Sequence, residues 1–242
     1  MAGFEFREAA RSMTGLTASL EKRTLIWLAE RAPRRVNSDH LTALALGAMV
    51  LAGWSYWLSR SAPAALLLVN VCLVLNWFGD SLDGTLARVR RQQRPRYGFY
   101  VDHIVDAAGA VFLIGGMGVS SYMSPFVALG LLVAYLLLLV ETFLATYTVG
   151  TFTMSYVKVG PTELRMLLAF GNLVLLVHPM AEIFGRQYRL FDVGGLVSIA
   201  GMIVTFAIAT VRHTRMLYLA EPISAATTAA IAASAAVTLA AK

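Results

Sequence analysis

The stretch AALLLVNVCLVLNWFGDSLDGTL, residues 64–86, decides how this chain is read: it is an apolar run long enough to cross a bilayer, and it ends in two aspartates, Asp80 and Asp83. A hydrocarbon core requires about 20 predominantly apolar residues per helix. A carboxylate at such a depth is costly and marks a functional site by default. Five more stretches share the apolar character: Leu41 to Ser59, Gly98 to Met123, Pro125 to about Val149, Thr162 to Phe184 and Leu190 to about Arg212. Together they make six expected transmembrane helices.

Composition agrees with that reading. Of 242 residues, 58% are hydrophobic and only 14% charged, with a mean hydropathy of +0.67, which is too apolar for a soluble domain and excludes disorder, collagen or a disulfide scaffold. The lone cysteine, Cys72, lies inside the apolar run and reads as a small core hydrophobe. The expected fold class is all-α integral membrane. Residues 1–40 form a cytosolic or interfacial N-terminal segment, residues 41–216 a six-helix transmembrane catalytic domain, and residues 217–242 a C-terminal tail. In the first segment Leu16, Leu20, Trp27, Leu28 and Ala32 recur at helical spacing, with Glu21, Lys22, Arg23, Glu30 and Arg31 between them. This pattern suits an amphipathic helix lying in the headgroup plane, or one folded onto the loops of the same side. Charges run throughout these residues and no small-residue cleavage site follows an apolar run, so a secretory signal is not expected. The Ala/Thr/Ser-rich stretch Ala225 to Ala241 is too weakly apolar for a seventh span.

Six spans place both termini on one side. That side carries 17 of the 20 Lys and Arg residues, against Arg60, Arg186 and Arg189 on the other, so the positive-inside rule makes it cytoplasmic. The net charge of +6 and pI near 9.7 then point to anionic lipid headgroups rather than nucleic acid.

The chemistry concentrates in four acids. Asp80 and Asp83 are three residues apart at the end of the second span, and Asp102 and Asp106 are four apart at the start of the third, so each pair projects from one helix face. Consecutive spans joined by a short loop are expected as antiparallel neighbours, which carries all four carboxylates to the cytoplasmic end of one helix pair. Unneutralised, they would repel one another. An all-oxygen set suits one or two hard divalent cations, Mg²⁺ or Mn²⁺, with coordination positions left for phosphate oxygens. Gly84, Ala87 and Gly98 remove bulk where a ligand approaches the backbone, and Arg88 offers a planar fork for a diphosphate.

The string Asp80-x2-Asp83-Gly84-x2-Ala87-Arg88, followed after nine residues by Gly98-x3-Asp102-x3-Asp106, closely resembles the signature of the CDP-alcohol phosphotransferase family of integral membrane phospholipid-synthesising enzymes. All signature positions are present. The gap between Arg88 and Gly98 is one residue longer than the family's usual spacing, and the extra residue falls in the basic loop Val89 to Tyr97. Ser38-Asp39-His40-Leu41-Thr42 is similar to the start of the family's first span. The resemblance implies that Asp80, Asp83, Asp102 and Asp106 hold two divalent metals, that Asp106 also deprotonates the acceptor hydroxyl, and that Gly84, Ala87, Arg88 and Gly98 sit against a cytidine diphosphate. It implies transfer of a substituted phosphate group from a CDP-linked donor to an alcohol or lipid acceptor with release of CMP, and a homodimer. Gly115, Gly116 and Gly118 in the third span permit close helix packing.

Other signals carry less. Arg90, Arg91, Arg94 and Arg96 suit an acceptor phosphate or lipid headgroups, and equally a positive-inside loop. Lys158 and Arg165 suit an anion pocket. Glu141 suits orientation of a basic partner, Glu163 a helix N-terminus, and His178 before Pro179 an outer interface. His103 points about 100° away from Asp102 on a helix and is no closer than an indirect participant. The donor class stays open between CDP-diacylglycerol and a CDP-amino alcohol. Asp102-His103, Thr146-Tyr147, Gly150-Thr151 and Thr162-Glu163 are similar to the amino-alcohol branch, whereas the short chain is more like the phosphatidyl-transferring branch. Two rivals are weighed. Mg²⁺-dependent membrane prenyltransferases carry acids that usually resemble Asp-x3-Asp and lack the Gly-x2-Ala-Arg continuation, and a transporter would place polar groups near the midplane or on repeated halves.

Overall fold

The computed structural model describes residues 18–150 and 161–222, with side chains from residue 22 onward. The expectations resting on Leu16, Leu20, Glu21, Thr151, Lys158 and the stretch 225–241 lie outside the described residues. Within them the chain forms helices α1 (Ala18–Arg31), α2 (Ser38–Leu58), α3 (Ala65–Val89), α4 (Pro95–Val119), α5 (Pro125–Val149), α6 (Pro161–Val177) and α7 (Leu190–Ala220), with a hairpin of β1 (Met180–Ile183) and β2 (Arg186–Arg189) before the last helix.

Local chemistry explains most boundaries. Asn37 caps α2 by accepting the His40 amide at 2.9 Å, while the His40 ring accepts the Asn37 amide at 3.3 Å, which satisfies two otherwise orphaned donors. Pro95 and Pro125 open α4 and α5, where a missing N–H is harmless. Gly150 ends α5 at φ +72, a left-handed conformation that disfavours a side chain.

Five of the helices, α2, α3, α4, α5 and α7, are long and apolar enough to cross a membrane. The fifth expected span, Thr162 to Phe184, has a different course. Its helix stops at Val177, because Pro179 has no N–H to continue it, and the rest folds into the hairpin. Phe184 and Gly185, at φ 51 and 74, supply the two left-handed residues that a two-residue turn needs to match strand twist. With 17 residues, α6 is shorter than the five.

The centre of the bundle is α2, against which both α3 and α4 pack; α5 lies on α4, and α6 and α1 lie on α3. Helices α3 and α4, expected as direct neighbours, each pack chiefly on α2, and their acidic ends still come together. Missing side chains bring the backbones together: a Cβ on Gly53 would lie 2.2 Å from the Phe112 carbonyl oxygen, and one on Gly79 2.5 Å from that of Leu41. Close approach of this kind holds membrane helices where burial in lipid offers little drive. Gly116 faces Gly53 and Gly118 faces Ala128 within the chain, while Gly115 has open space. Cys72 is buried in the core with Tyr56, Leu66 and Val69. Asp192 at the start of α7 accepts the Ser124 amide at 2.6 Å, which satisfies a donor at the head of α5.

Helix α1 uses its apolar face internally: Leu25 and Ala29 pack with Leu41, Leu82 and Leu86, while Trp27 is exposed. Its apolar face thus packs onto α3 and onto Leu41 of α2. The chain divides into two compact units between Phe206 and Ala207. The site described below lies wholly in the first. In the second, the described residues complete α7.

Candidate active site

The last turns of α3 carry Asp80 and Asp83, and the first turns of α4 carry Asp102 and Asp106. Because both helices lean on α2, their acidic ends face one another. Asp80, Asp102 and Asp106 each present a carboxylate oxygen within 4.8 Å of the others. Asp83 stands outside that triplet. Its Oδ2 accepts the Thr42 hydroxyl at 2.7 Å, its Oδ1 takes the Gly84 amide, and its main-chain oxygen accepts the Ser38 hydroxyl at 3.2 Å.

Among the described residues, a cation from α6 faces the cluster. Arg165, in the second turn of α6, donates from Nη2 to Asp80 Oδ2 at 2.7 Å. The two side chains are 15% and 23% exposed, so the pair is sheltered from the screening that weakens surface ion pairs.

The triplet suits a hard divalent cation. Three carboxylates are the donors that Mg²⁺ and Mn²⁺ prefer, and their oxygens lie within 4.8 Å of one another, where they can converge on one ion.

The small residues leave space beside the acids. A Cβ on Gly98 would meet nothing within 4 Å, and one on Gly84 would find its nearest neighbour, Arg88 Nη1, at 3.7 Å. Arg88 is exposed, its Nη2 held 3.1 Å from the Thr85 hydroxyl, which in turn donates to the Ser81 carbonyl. Ala87 is half-buried on the same helical stretch.

Two of the loop arginines are committed to the fold. Arg90 donates to the carbonyls of Ala32, Pro33 and Val36, closing the end of α1, and Arg94 pairs with Asp39 at the start of α2 while lying over the Tyr97 ring. His103 is buried between the Phe99 and Phe143 rings, and its Nδ1 lies 2.6 Å from the Phe99 carbonyl, a contact that requires the proton on that nitrogen. It stands 3.9 Å from Asp102 Oδ2. Glu141 is buried in α5. Sequence reasoning missed Thr42 as the partner of Asp83. The signal was present in the quoted Ser38 to Thr42, since both hydroxyls lie on one face of α2 at a spacing of four.

Comparison with known proteins adds one finding. No curated protein matches the chain. The model of the CDP-alcohol phosphatidyltransferase family, whose members are transferases of substituted phosphate groups in phospholipid synthesis, matches residues 36–239, and the chain belongs to that family.

Proposed function

We propose that the protein moves a substituted phosphate group from CDP-diacylglycerol or a CDP-amino alcohol to an alcohol or lipid acceptor, with release of CMP, at the cluster Asp80, Asp83, Asp102 and Asp106. The observation that carries this reading is the convergence of Asp80, Asp102 and Asp106 from two helices onto one oxygen cage, beside glycines that leave room for a ligand. Membership of the CDP-alcohol phosphatidyltransferase family supports this reading over the prenyltransferase and transporter alternatives.

In this reading the four aspartates hold two divalent ions, Mg²⁺ or Mn²⁺. When bound, the metals supply charge stabilisation on the diphosphate. Family members are generally dependent on divalent metal, which supports the assignment. Gly84, Ala87, Arg88 and Gly98 line the cytidine diphosphate, with the Arg88 fork toward a phosphate. Asp106 takes the proton of the acceptor hydroxyl as its oxygen bonds to the phosphorus distal to cytidine. The bond from that phosphorus to the bridging oxygen breaks, and CMP leaves with that oxygen. Asp83, fixed by Thr42 and Ser38, is set by the first span rather than by its own helix alone.

The same reading places α6 as a sixth span, both termini and the cluster on the cytoplasmic side, and α1 at the interface beside them. Residues 41–216 are the catalytic domain and 217–242 a tail, and two chains form a homodimer as the family likeness implies. Purified protein with Mg²⁺, offered CDP-diacylglycerol and CDP-amino alcohols in turn with a panel of alcohols, releases CMP from one donor class. No release from any donor would overturn the proposal.

A further inference from the structure

Four polar groups form a continuous chain deep in the bundle, away from the carboxylates. The Tyr56 hydroxyl of α2 donates to Asn172 Oδ1 of α6 at 2.7 Å, Asn172 Nδ2 donates to Asn70 Oδ1 of α3 at 2.8 Å, and Asn70 Nδ2 donates to the Ala169 carbonyl of α6 at 3.1 Å. Tyr56 and Asn172 are fully buried.

This chain matters because of what α6 otherwise lacks. Only Asn172 and Leu175 are buried along the whole helix, and Leu167, Phe170 and Leu173 are exposed on its other faces. In a bilayer an apolar face gains little by leaving lipid for protein, so apolar packing defines the rotation of such a helix weakly. Directional hydrogen bonds define it well.

Helical geometry links the chain to the site. Arg165, Leu168, Ala169 and Asn172 follow the spacing of one helix face. From Asn172 back to Arg165 is about 10 Å along the axis, and from Asn70 to Asp80 about 15 Å. The long guanidino arm, leaning toward the helix N-terminus, spans the difference. A rotation of α6 by one residue, about 100°, would carry Arg165 off Asp80.

We propose that Tyr56, Asn172 and Asn70 are a positioning clamp that sets the rotation of α6 and thereby holds Arg165 on Asp80 as the counter-charge of the carboxylate cluster. The inference rests on the reading of Asp80 as a metal ligand. Arg165 then competes with a divalent ion for that carboxylate, and releasing the clamp loosens the competitor.

Mn²⁺ binding to the full chain in detergent micelles, followed by loss of the free-ion electron paramagnetic resonance signal, tests this without any substrate. Arg165→Gln is expected to bind Mn²⁺ roughly three- to ten-fold more tightly, since one nearby positive charge is gone. Tyr56→Phe and Asn172→Leu are expected to shift the half-saturation the same way by a smaller factor, and to add nothing in the Arg165→Gln background. A merely structural role gives weaker binding, or the same change in both backgrounds, and either overturns the clamp; so does wild-type affinity in both single variants. Tyr56→Phe keeps the test open if Asn172→Leu does not fold. If the wild-type chain takes up no Mn²⁺, the metal reading fails instead. The clamp is then decided by the distance distribution between nitroxides at Val89 and Leu167 in a Cys72→Ser background, which is expected to broaden on Tyr56→Phe and overturns the clamp if it stays unchanged.

Discussion

Thr42 of α2 donates its hydroxyl to Asp83 of α3 across 2.7 Å, so the first of the long helices is part of the acidic site although it carries none of the signature acids. The bond holds one carboxylate away from the triplet formed by Asp80, Asp102 and Asp106. Thr42→Val keeps the shape and removes the donor. A hydrogen bond to a charged group contributes about 1.5–3 kcal/mol, so kcat/KM for CMP release is expected to fall about ten- to a hundred-fold. Wild-type kinetics in this variant would remove the Thr42 bond from the chemistry.

Asp106 has a sharper expectation attached. A general base accounts for about 10²–10⁴-fold in rate, so Asp106→Asn is expected to lower CMP release by at least that factor in a steady-state assay. Because Asp106 also belongs to the oxygen cage, the variant is expected to need more Mn²⁺ for half-maximal signal in a binding titration.

Chelation is the simplest probe. Excess EDTA is expected to abolish CMP release, with recovery on adding Mg²⁺ or Mn²⁺ and none on adding a monovalent salt. Activity that persists in EDTA would mean that the carboxylates act without a divalent ion.

Helix approach gives a prediction about stability. A methyl on Gly53 would collide with the Phe112 main-chain carbonyl, which cannot step aside as a flexible side chain would. Gly53→Ala is expected to destabilise the folded chain by about 1–3 kcal/mol. Gly115→Ala, which meets nothing within 4 Å, is expected to be neutral or slightly stabilising. Thermal melts of the two variants in the same detergent compare them directly.

Arg90 joins the loop after α3 to the end of α1 through three carbonyls. Removing it in Arg90→Met is expected to speed proteolysis between residues 32 and 36 roughly ten-fold, as local opening becomes easier. The neighbouring Arg91→Met serves as the control, since Arg91 is exposed, and it is expected to leave the cleavage rate unchanged.

The parts of this protein that were legible before any coordinates are those set by local period and by solvent. Apolar runs of bilayer length announced the spans of α2, α3, α4, α5 and α7, because backbone groups in lipid must be satisfied within the helix itself. The spacings Asp80 to Asp83 and Asp102 to Asp106 put each pair on one face for the same reason, since helical repeat alone decides which side chains stand together. What no spacing along one helix reveals is which helix lies next to it. Only the folded bundle made α2 the common support of α3 and α4, because Gly53, Gly79 and Gly116 let backbones touch. Only it joined Arg165 to Asp80, Thr42 to Asp83 and Arg90 to the carbonyls closing α1, since each bond spans more than forty residues of chain and depends on how neighbouring helices are rotated. The turn at Phe184 and Gly185 was hidden for a related reason: an apolar stretch that reads as the end of a span becomes a hairpin once Pro179 stops α6.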